Sequence, residues 1–280
     1  MKNKVGLVLE GGALRGIFTA GVIDFFLEKG IKFDYVIGVS AGSCNLLAYV
    51  GNSKGFVKGG MIGDDPFFGL TTIKEDRKII NLDKVFEDYA VKGNFSYDEF
   101  MKNPVKWEMV VTNIKTGQAE YLSERKDVER LKKIGKASCS IPLLTEPMQI
   151  GNKLYLDGGI ADSIPVKRAF EKGCNKVVVV CTRRKDKFPH ISEPEKPVYN
   201  RVYAKYPEFL DTMYSREQIY RYTKKLLEDG ERKGDVIAIT PTLPEVGRLE
   251  SNQDKLKTYY YHGYTKAEDR YNEILEFFKK

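Results

Sequence analysis

The chain carries Gly38-Val39-Ser40-Ala41-Gly42 between an apolar stretch, Phe33 to Ile37, and a helical one beginning near Asn45. A strand that runs straight into a helix must turn sharply, and glycines on both sides of the serine leave room for the turn. The hydroxyl then stands at the tip of a sheet, with the positive end of the next helix behind it. The same pentapeptide also makes ordinary turns, so its neighbours decide what it means. Upstream, Val5 to Leu9 is a continuous apolar run ending at Gly11-Gly12, as a buried strand does on meeting a loop. From Gly16 to Lys29, apolar residues recur at Ile17, Ala20, Ile23 and Leu27, the spacing of a helix closed by Gly30. Strand, loop, helix, strand in this order is a βαβ unit and predicts parallel pairing.

The rest of the chain continues an α/β pattern. Trp107 to Thr112 and Gln118 to Leu122 read as hairpin strands turning near Thr116-Gly117. A tight turn at Gly151-Asn152 leads into a strand, Lys153 to Leu156, which delivers Asp157 to a Gly158-Gly159 corner. Val177 to Cys181 and Asp235 to Thr240 are further strands, and residues 207–229 and 264–279 read as amphipathic helices. The basic, proline-containing stretch 182–200 reads as a surface loop. Residues 51–75 are glycine-rich, with exposed-looking apolars such as Phe56, Met61, Ile62, Phe67, Phe68 and Leu70. They form either a mobile cap over an apolar cleft or a loop packed on the body. No repeat or low-complexity segment interrupts the 280 residues, which suit a single domain with a core at about 5–185 and a C-terminal extension at about 186–280.

Composition narrows the class. Hydrophobic residues at 42% and charged residues at 30% describe an ordinary folded protein. No run approaches the ~18–20 apolar residues of a membrane span, and Glu10 and Arg15 interrupt the signal-like start. The four cysteines, Cys44, Cys139, Cys174 and Cys181, lack metal-type spacing and read as reduced, buried thiols of a cytosolic protein. Forty-six basic against 39 acidic side chains give a charge of +7, which favours anionic surfaces such as phospholipid head groups. The basic residues are scattered and match no nucleic-acid-binding motif, so no nucleic-acid partner is expected. No feature encodes an oligomeric state.

A serine hydrolase needs a nucleophile, a base and donors for the developing oxyanion. Ser40 is the nucleophile candidate. The loop Gly11-Gly12-Ala13-Leu14-Arg15-Gly16 ends the neighbouring strand and opens a helix, so its amides lie at the same sheet edge as Ser40. An anion cradle would use the same amides. The loop is neither a dinucleotide fingerprint, since Ala13 replaces a required glycine, nor a Walker motif. For the base, the chain offers two histidines, His190 in the proline-rich loop and His262 after Tyr259-Tyr260-Tyr261, and one well-placed carboxylate, Asp157. A Ser-His-Asp esterase or thioesterase and a non-catalytic anion-binding module therefore remain open beside a serine–aspartate hydrolase.

The glycine loop, Gly38-x-Ser40-x-Gly42 and Asp157-Gly158-Gly159, in this order, resemble the patatin-like phospholipases. So does the block Ala137-Ser-Cys-Ser-Ile-Pro-Leu-Leu-Thr-Glu-Pro147 before the aspartate, with Ile160-Ala-Asp-Ser-Ile-Pro165 after it. The resemblance implies a three-layer α/β/α sandwich with a mainly parallel sheet, and a Ser40–Asp157 dyad that cleaves fatty-acyl esters. It implies an oxyanion hole from Gly11, Gly12, Ala13, Arg15 and Gly16, and neither metal nor cofactor. Two departures stand out: Ala13 where many members have a third glycine, and Ser163 where an asparagine is common. The implied partner is a lipid or acyl ester, with peripheral contact to an anionic membrane.

Overall fold

The computed structural model describes residues 3–62, 82–83, 85–86, 95–248 and 250–279. Five parallel strands form the middle of one sheet: β1 (Val5–Leu9), β2 (Tyr35–Val39), β3 (Lys106–Asn113), β7 (Lys176–Val180) and β8 (Val236–Ile239). Three antiparallel strands extend it, namely β4 (Ala119–Leu122), β5 (Met148–Ile150) and β6 (Lys153–Asp157). The paired order is β5-β6-β3-β2-β1-β7-β8, with β4 also on β3. β1 and β2 are buried along their whole lengths and β7 at every residue after Lys176, as expected of strands covered on both faces.

Helices cover both faces, giving the α/β/α layering. On one side lie α1 (Gly16–Glu28), α2 (Ala41–Val50), α3 (Phe56–Met61), α4 (Tyr97–Lys102) and α5 (Val128–Ser138). On the other lie α6 (Val166–Glu171) and α8 (Pro207–Lys233), with α7 (Lys196–Val202) beside them. Helix α1 is buried almost all round, because α9 (Gln253–Asp269) packs against its outer face. Two glycines make that approach possible. A Cβ at Gly21 would meet the Tyr260 carbonyl oxygen at 2.1 Å, and one at Gly263 the Phe18 carbonyl oxygen at 1.9 Å.

Several boundaries differ from the sequence reading. β2 starts two residues later than Phe33, because the Asp34 carboxylate accepts the Val5 amide and fixes that residue as the strand's entry. Helix α2 begins directly after Ser40 rather than near Asn45. The 182–200 loop gives way to a helical turn at Glu193, where Ser192 and Glu195 form a capping box. The C-terminal helix starts at Gln253, capped by the Asn252 side chain, and breaks before α10 (Tyr271–Phe277). In residues 51–75, Phe56, Met61 and Ile62 are buried, with Phe56 against Phe95 at 5.4 Å between ring centroids. That part is packed on the body. Phe67, Phe68 and Leu70 lie outside the described residues.

Candidate active site

Ser40 occupies the step from β2 into α2 at φ 53°, ψ −123°, a conformation side chains rarely adopt. Its surroundings fix it there. The Ser40 amide donates to Ser138 Oγ at 3.0 Å, its carbonyl accepts the Ser43 amide at 2.7 Å, and the Ser43 and Ser138 hydroxyls share a 2.8 Å hydrogen bond. Only glycine fits on either side. A Cβ at Gly42 would lie 2.2 Å from the Leu9 carbonyl oxygen, and one at Gly38 would lie 2.5 Å from that of Gly42.

Strand pairing brings Asp157 to this turn. On β3, Val110 pairs with Val39 of β2 and with Tyr121 of β4, whereas Val111 pairs with Asp157 of β6 and with Glu120 of β4. A strand has two edges, and β4 holds one of them at both residues. β2 and β6 therefore share the other edge, and Asp157 follows directly where β2 ends at Ser40. Its amide donates to the Ser140 carbonyl at 2.7 Å, its carbonyl accepts the Thr112 hydroxyl at 2.8 Å, and its Oδ1 accepts the Gly159 amide at 2.8 Å. Burial pushes the Asp157 carboxyl above the ordinary range. The neighbouring Ser40 hydroxyl, the Gly159 amide and the Arg216 and Arg248 guanidiniums work against that rise without cancelling it.

The glycine loop leans on the same turn. A Cβ at Gly11 would lie 3.0 Å from the Ser40 Cβ, and one at Gly16 would lie 2.7 Å from the Ala41 Cβ. The Thr182 hydroxyl donates to the Gly11 carbonyl at 2.6 Å. The amides of Gly11, Gly12 and Ala13 donate to no acceptor among the described residues. Ala13 has φ 50°, so this alanine holds a conformation better suited to glycine. Arg15 is turned toward the loop itself, with Nε donating to the Gly12 carbonyl at 3.3 Å and Nη1 paired with Glu245 at 3.0 Å. The Ser163 hydroxyl donates to the Gly159 carbonyl at 2.6 Å and so ties down the turn after Asp157.

Gly11, Gly12, Ala13, Arg15, Ser40, Asp157 and Ser163 line one open cleft with a cavity volume of ≈ 60 Å³, whose apolar wall includes Ile141, Pro142 and Ile160; Gly16 is not among its lining residues. Neither histidine reaches it. His190 is exposed and faces Glu217 at 3.4 Å, while His262 Nε2 accepts the Thr242 amide at 3.0 Å and its ring packs on Phe18. Sequence reasoning missed Ser138 and three arginines of the cleft, Arg183, Arg216 and Arg248. Ser138 lay inside the quoted Ala137 block, but nothing in that block assigned it a role. All four cysteines are unpaired and buried, with Cys44 and Cys139 Sγ atoms 3.9 Å apart behind the turn. Among the described residues no cluster of His, Cys, Asp or Glu is arranged to hold a metal, and no helix is long and apolar enough to cross a membrane.

A family model described as patatin-like phospholipase matches residues 7–58 and 56–170, more than half of the chain. A second, described as a domain of unknown function (DUF6363), matches residues 206–279. The uncharacterized protein YjjU of Escherichia coli is 30% identical over 196 residues, covering 64% of this chain and 52% of that protein. Lysophospholipase NTE1 of Candida glabrata is 28% identical over 192 residues, 63% of this chain but 10% of that protein. The probable lipid hydrolase 463L of invertebrate iridescent virus 6 is 28% identical, with 59% of this chain and 63% of that protein covered. The chain thus spans from a tenth to under two thirds of these relatives. In fold it is similar to VipD of Legionella pneumophila, with TM-score 0.52, 14% identity and coverage of 96% of this chain and 66% of VipD.

Proposed function

The chain belongs to the patatin-like phospholipase family, and from that premise we propose that it hydrolyses fatty-acyl esters of lipids through Ser40 and Asp157. The observation that carries this reading is the β3 register, which sets a buried carboxylate at the end of the strand that presents Ser40. Ser40 Oγ attacks the acyl carbonyl carbon as its proton passes to the Asp157 carboxylate. The tetrahedral oxyanion accepts hydrogen bonds from the unpaired amides of the Gly11–Ala13 stretch, in front of the N-terminus of α2. As the intermediate collapses, the alcohol leaves with the proton from Asp157. Water then attacks the acyl-Ser40 carbonyl, again giving a proton to Asp157, and Ser40 Oγ takes that proton back as the fatty acid departs.

An aspartate at its ordinary pKa of ~3.9 is a weak base at neutral pH. Desolvation of Asp157 improves the match, and the oxyanion donors carry the larger share of the acceleration. Arg15 acts by holding the loop through the Gly12 carbonyl and Glu245. The histidine-based alternative lacks support, because both rings are engaged away from the cleft. Peripheral contact with an anionic lipid surface fits the charge of +7 and the exposed Leu143 beside cleft-lining Pro142. Co-sedimentation with anionic vesicles at low salt tests that contact. The decisive test is hydrolysis of a p-nitrophenyl acyl ester by the wild type, Ser40→Ala, Asp157→Asn and the double variant His190→Ala/His262→Ala. The dyad requires loss in the first two variants and retention in the last; loss in the histidine variant would overturn it.

A further inference from the structure

Four guanidiniums line the cleft that holds Ser40: those of Arg15, Arg183, Arg216 and Arg248. Two are answered by carboxylates. Arg15 pairs with Glu245 at 3.0 Å, and Arg183 lies 3.9 Å from Glu10, whose oxygens also accept the Thr182 amide and the Tyr220 hydroxyl. Arg216 and Arg248 have no ion-pair partner among the described residues. The Arg216 Nε is sealed from solvent and donates to no acceptor. Its Nη2 hangs over Gly159, 3.3 Å from where a Cβ would stand there, and Asp157 Oδ1 lies 3.0 Å from the same point.

A guanidinium nitrogen sealed from water without an acceptor, as at Arg216, is costly, and the cost falls when an anion enters. Burial drags the half-buried Arg216 guanidinium down to about 10, whereas Arg248 is an exposed residue and stands at the rim of the cleft. A guanidinium presents paired N–H donors that match phosphate oxygens two at a time.

Resting on the hydrolase reading above, we propose that Arg216 and Arg248, together with Arg183, bind the phosphate of a lipid whose acyl ester faces Ser40, and that the preferred substrate is an acyl glycerol phosphate with an uncapped, dianionic phosphate. In such a lipid the ester and the phosphate are only a few bonds apart, so one cleft accommodates both. Among the described residues the lining contains one carboxylate, Asp157, and no aromatic ring. The ammonium of a choline or ethanolamine head group would find in that lining no carboxylate besides the proposed base and no cation–π surface. Arg216 and Arg248 both lie in residues 206–279, the part matched by the model described as a domain of unknown function. That part thereby gains a role: it supplies the anion-recognising wall of a site whose reacting groups come from the first 170 residues.

The test compares kcat/KM on mono-oleoyl glycerol phosphate, mono-oleoyl glycerophosphocholine and a neutral p-nitrophenyl ester, for the wild type, Arg248→Ala and Arg216→Lys. Binding of inorganic phosphate to Ser40→Ala protein, with and without Arg248→Ala, is measured by calorimetry. The wild type should prefer the uncapped phosphate over the choline lipid by ~10-fold or more. Arg248→Ala should lose ~10–100-fold more on the phosphate lipid than on the neutral ester, the worth of a charged hydrogen bond, and should weaken phosphate binding. Equal losses on both substrates, or a preference for the choline lipid, would overturn the proposal while leaving the hydrolase reading intact. Arg248-dependent phosphate binding without cleavage of any ester would do the reverse: the anion subsite would stand and the hydrolase reading would fall. Esters cleaved with no measurable phosphate binding, and no discrimination among the three substrates, would remove the subsite altogether.

Discussion

The two walls of the Ser40 cleft are built on opposite principles. One wall, from the glycine loop, Ser40 and Asp157, is made of backbone: a strained turn, unpaired amides and a carboxylate fixed by strand register. The other, from Arg183, Arg216 and Arg248, is made of long side chains projecting from later elements. A backbone wall is positioned by the fold and tolerates almost no change. A side-chain wall can be rewritten one residue at a time, so on the roles proposed above chemistry and selectivity are separable. The family match divides along the same line, since residues 7–170 include the first wall and residues 206–279 hold Arg216 and Arg248.

The sharpest way to break this contrast is at the nucleophile. Ser40→Ala should lower kcat on any ester by ~10⁴-fold or more, since removal of a covalent nucleophile leaves only the oxyanion donors and binding. Asp157→Asn should cost ~10³-fold or more, yet should not lower the melting temperature. An acid whose folded pKa is raised costs stability at every pH above that value, and the cost vanishes only below the unfolded pKa of ~3.9. The amide carries no such cost at neutral pH and can still accept from Gly159. A clear drop in melting temperature with unchanged kcat would make Asp157 a structural turn residue.

Next in size is Ser138→Ala, which strips the Ser40 amide of its acceptor. Turnover should fall ~10-fold, and stability by ~1–3 kcal/mol in urea unfolding, the cost of a buried unsatisfied donor. A third measurement couples the two walls. Activity should rise with pH as Asp157 loses its proton, along a limb above the ordinary carboxylate range. Arg216 helps to hold that pKa down, so Arg216→Met should move the limb to higher pH on a neutral ester. An unmoved limb would show the walls to be electrostatically independent. The smallest effect is expected for Ala13→Gly, which relieves a left-handed alanine worth ~1–2 kcal/mol of strain. Glycine's greater freedom in the unfolded chain offsets most of that gain, and the melting point should move by only a few degrees.

The backbone wall was legible in the sequence because its signals are local. Glycines flanking a serine, a glycine loop after an apolar run and Asp-Gly-Gly after a turn each mark a place where backbone must pass close to something. The side-chain wall was not legible. Arg216 sits on the 27-residue helix α8, where its polar neighbours make it look like one more solvated charge, and Arg248 lies in an irregular stretch. Only tertiary packing turns them toward Ser40. Phe56 and Met61, set among glycines in the sequence, are likewise buried only by tertiary packing, of α3 on α1 and α2. At the C-terminus, Tyr259-Tyr260-Tyr261 obscured a helical periodicity that begins at the Asn252 cap.

The β3 register has a consequence for the order in which the molecule comes alive. Ser40 and Asp157 are more than a hundred positions apart, and only the pairing of β3 with both β2 and β6 makes them neighbours. Contacts of such long range form late, after the loops between them have been closed. A chain emerging from the ribosome exposes its nucleophilic turn first, its base much later, and the arginines of the opposite wall last. On the proposed dyad, partly made chains therefore carry a serine with nothing to deprotonate it, and ester cleavage would begin only once the sheet has closed.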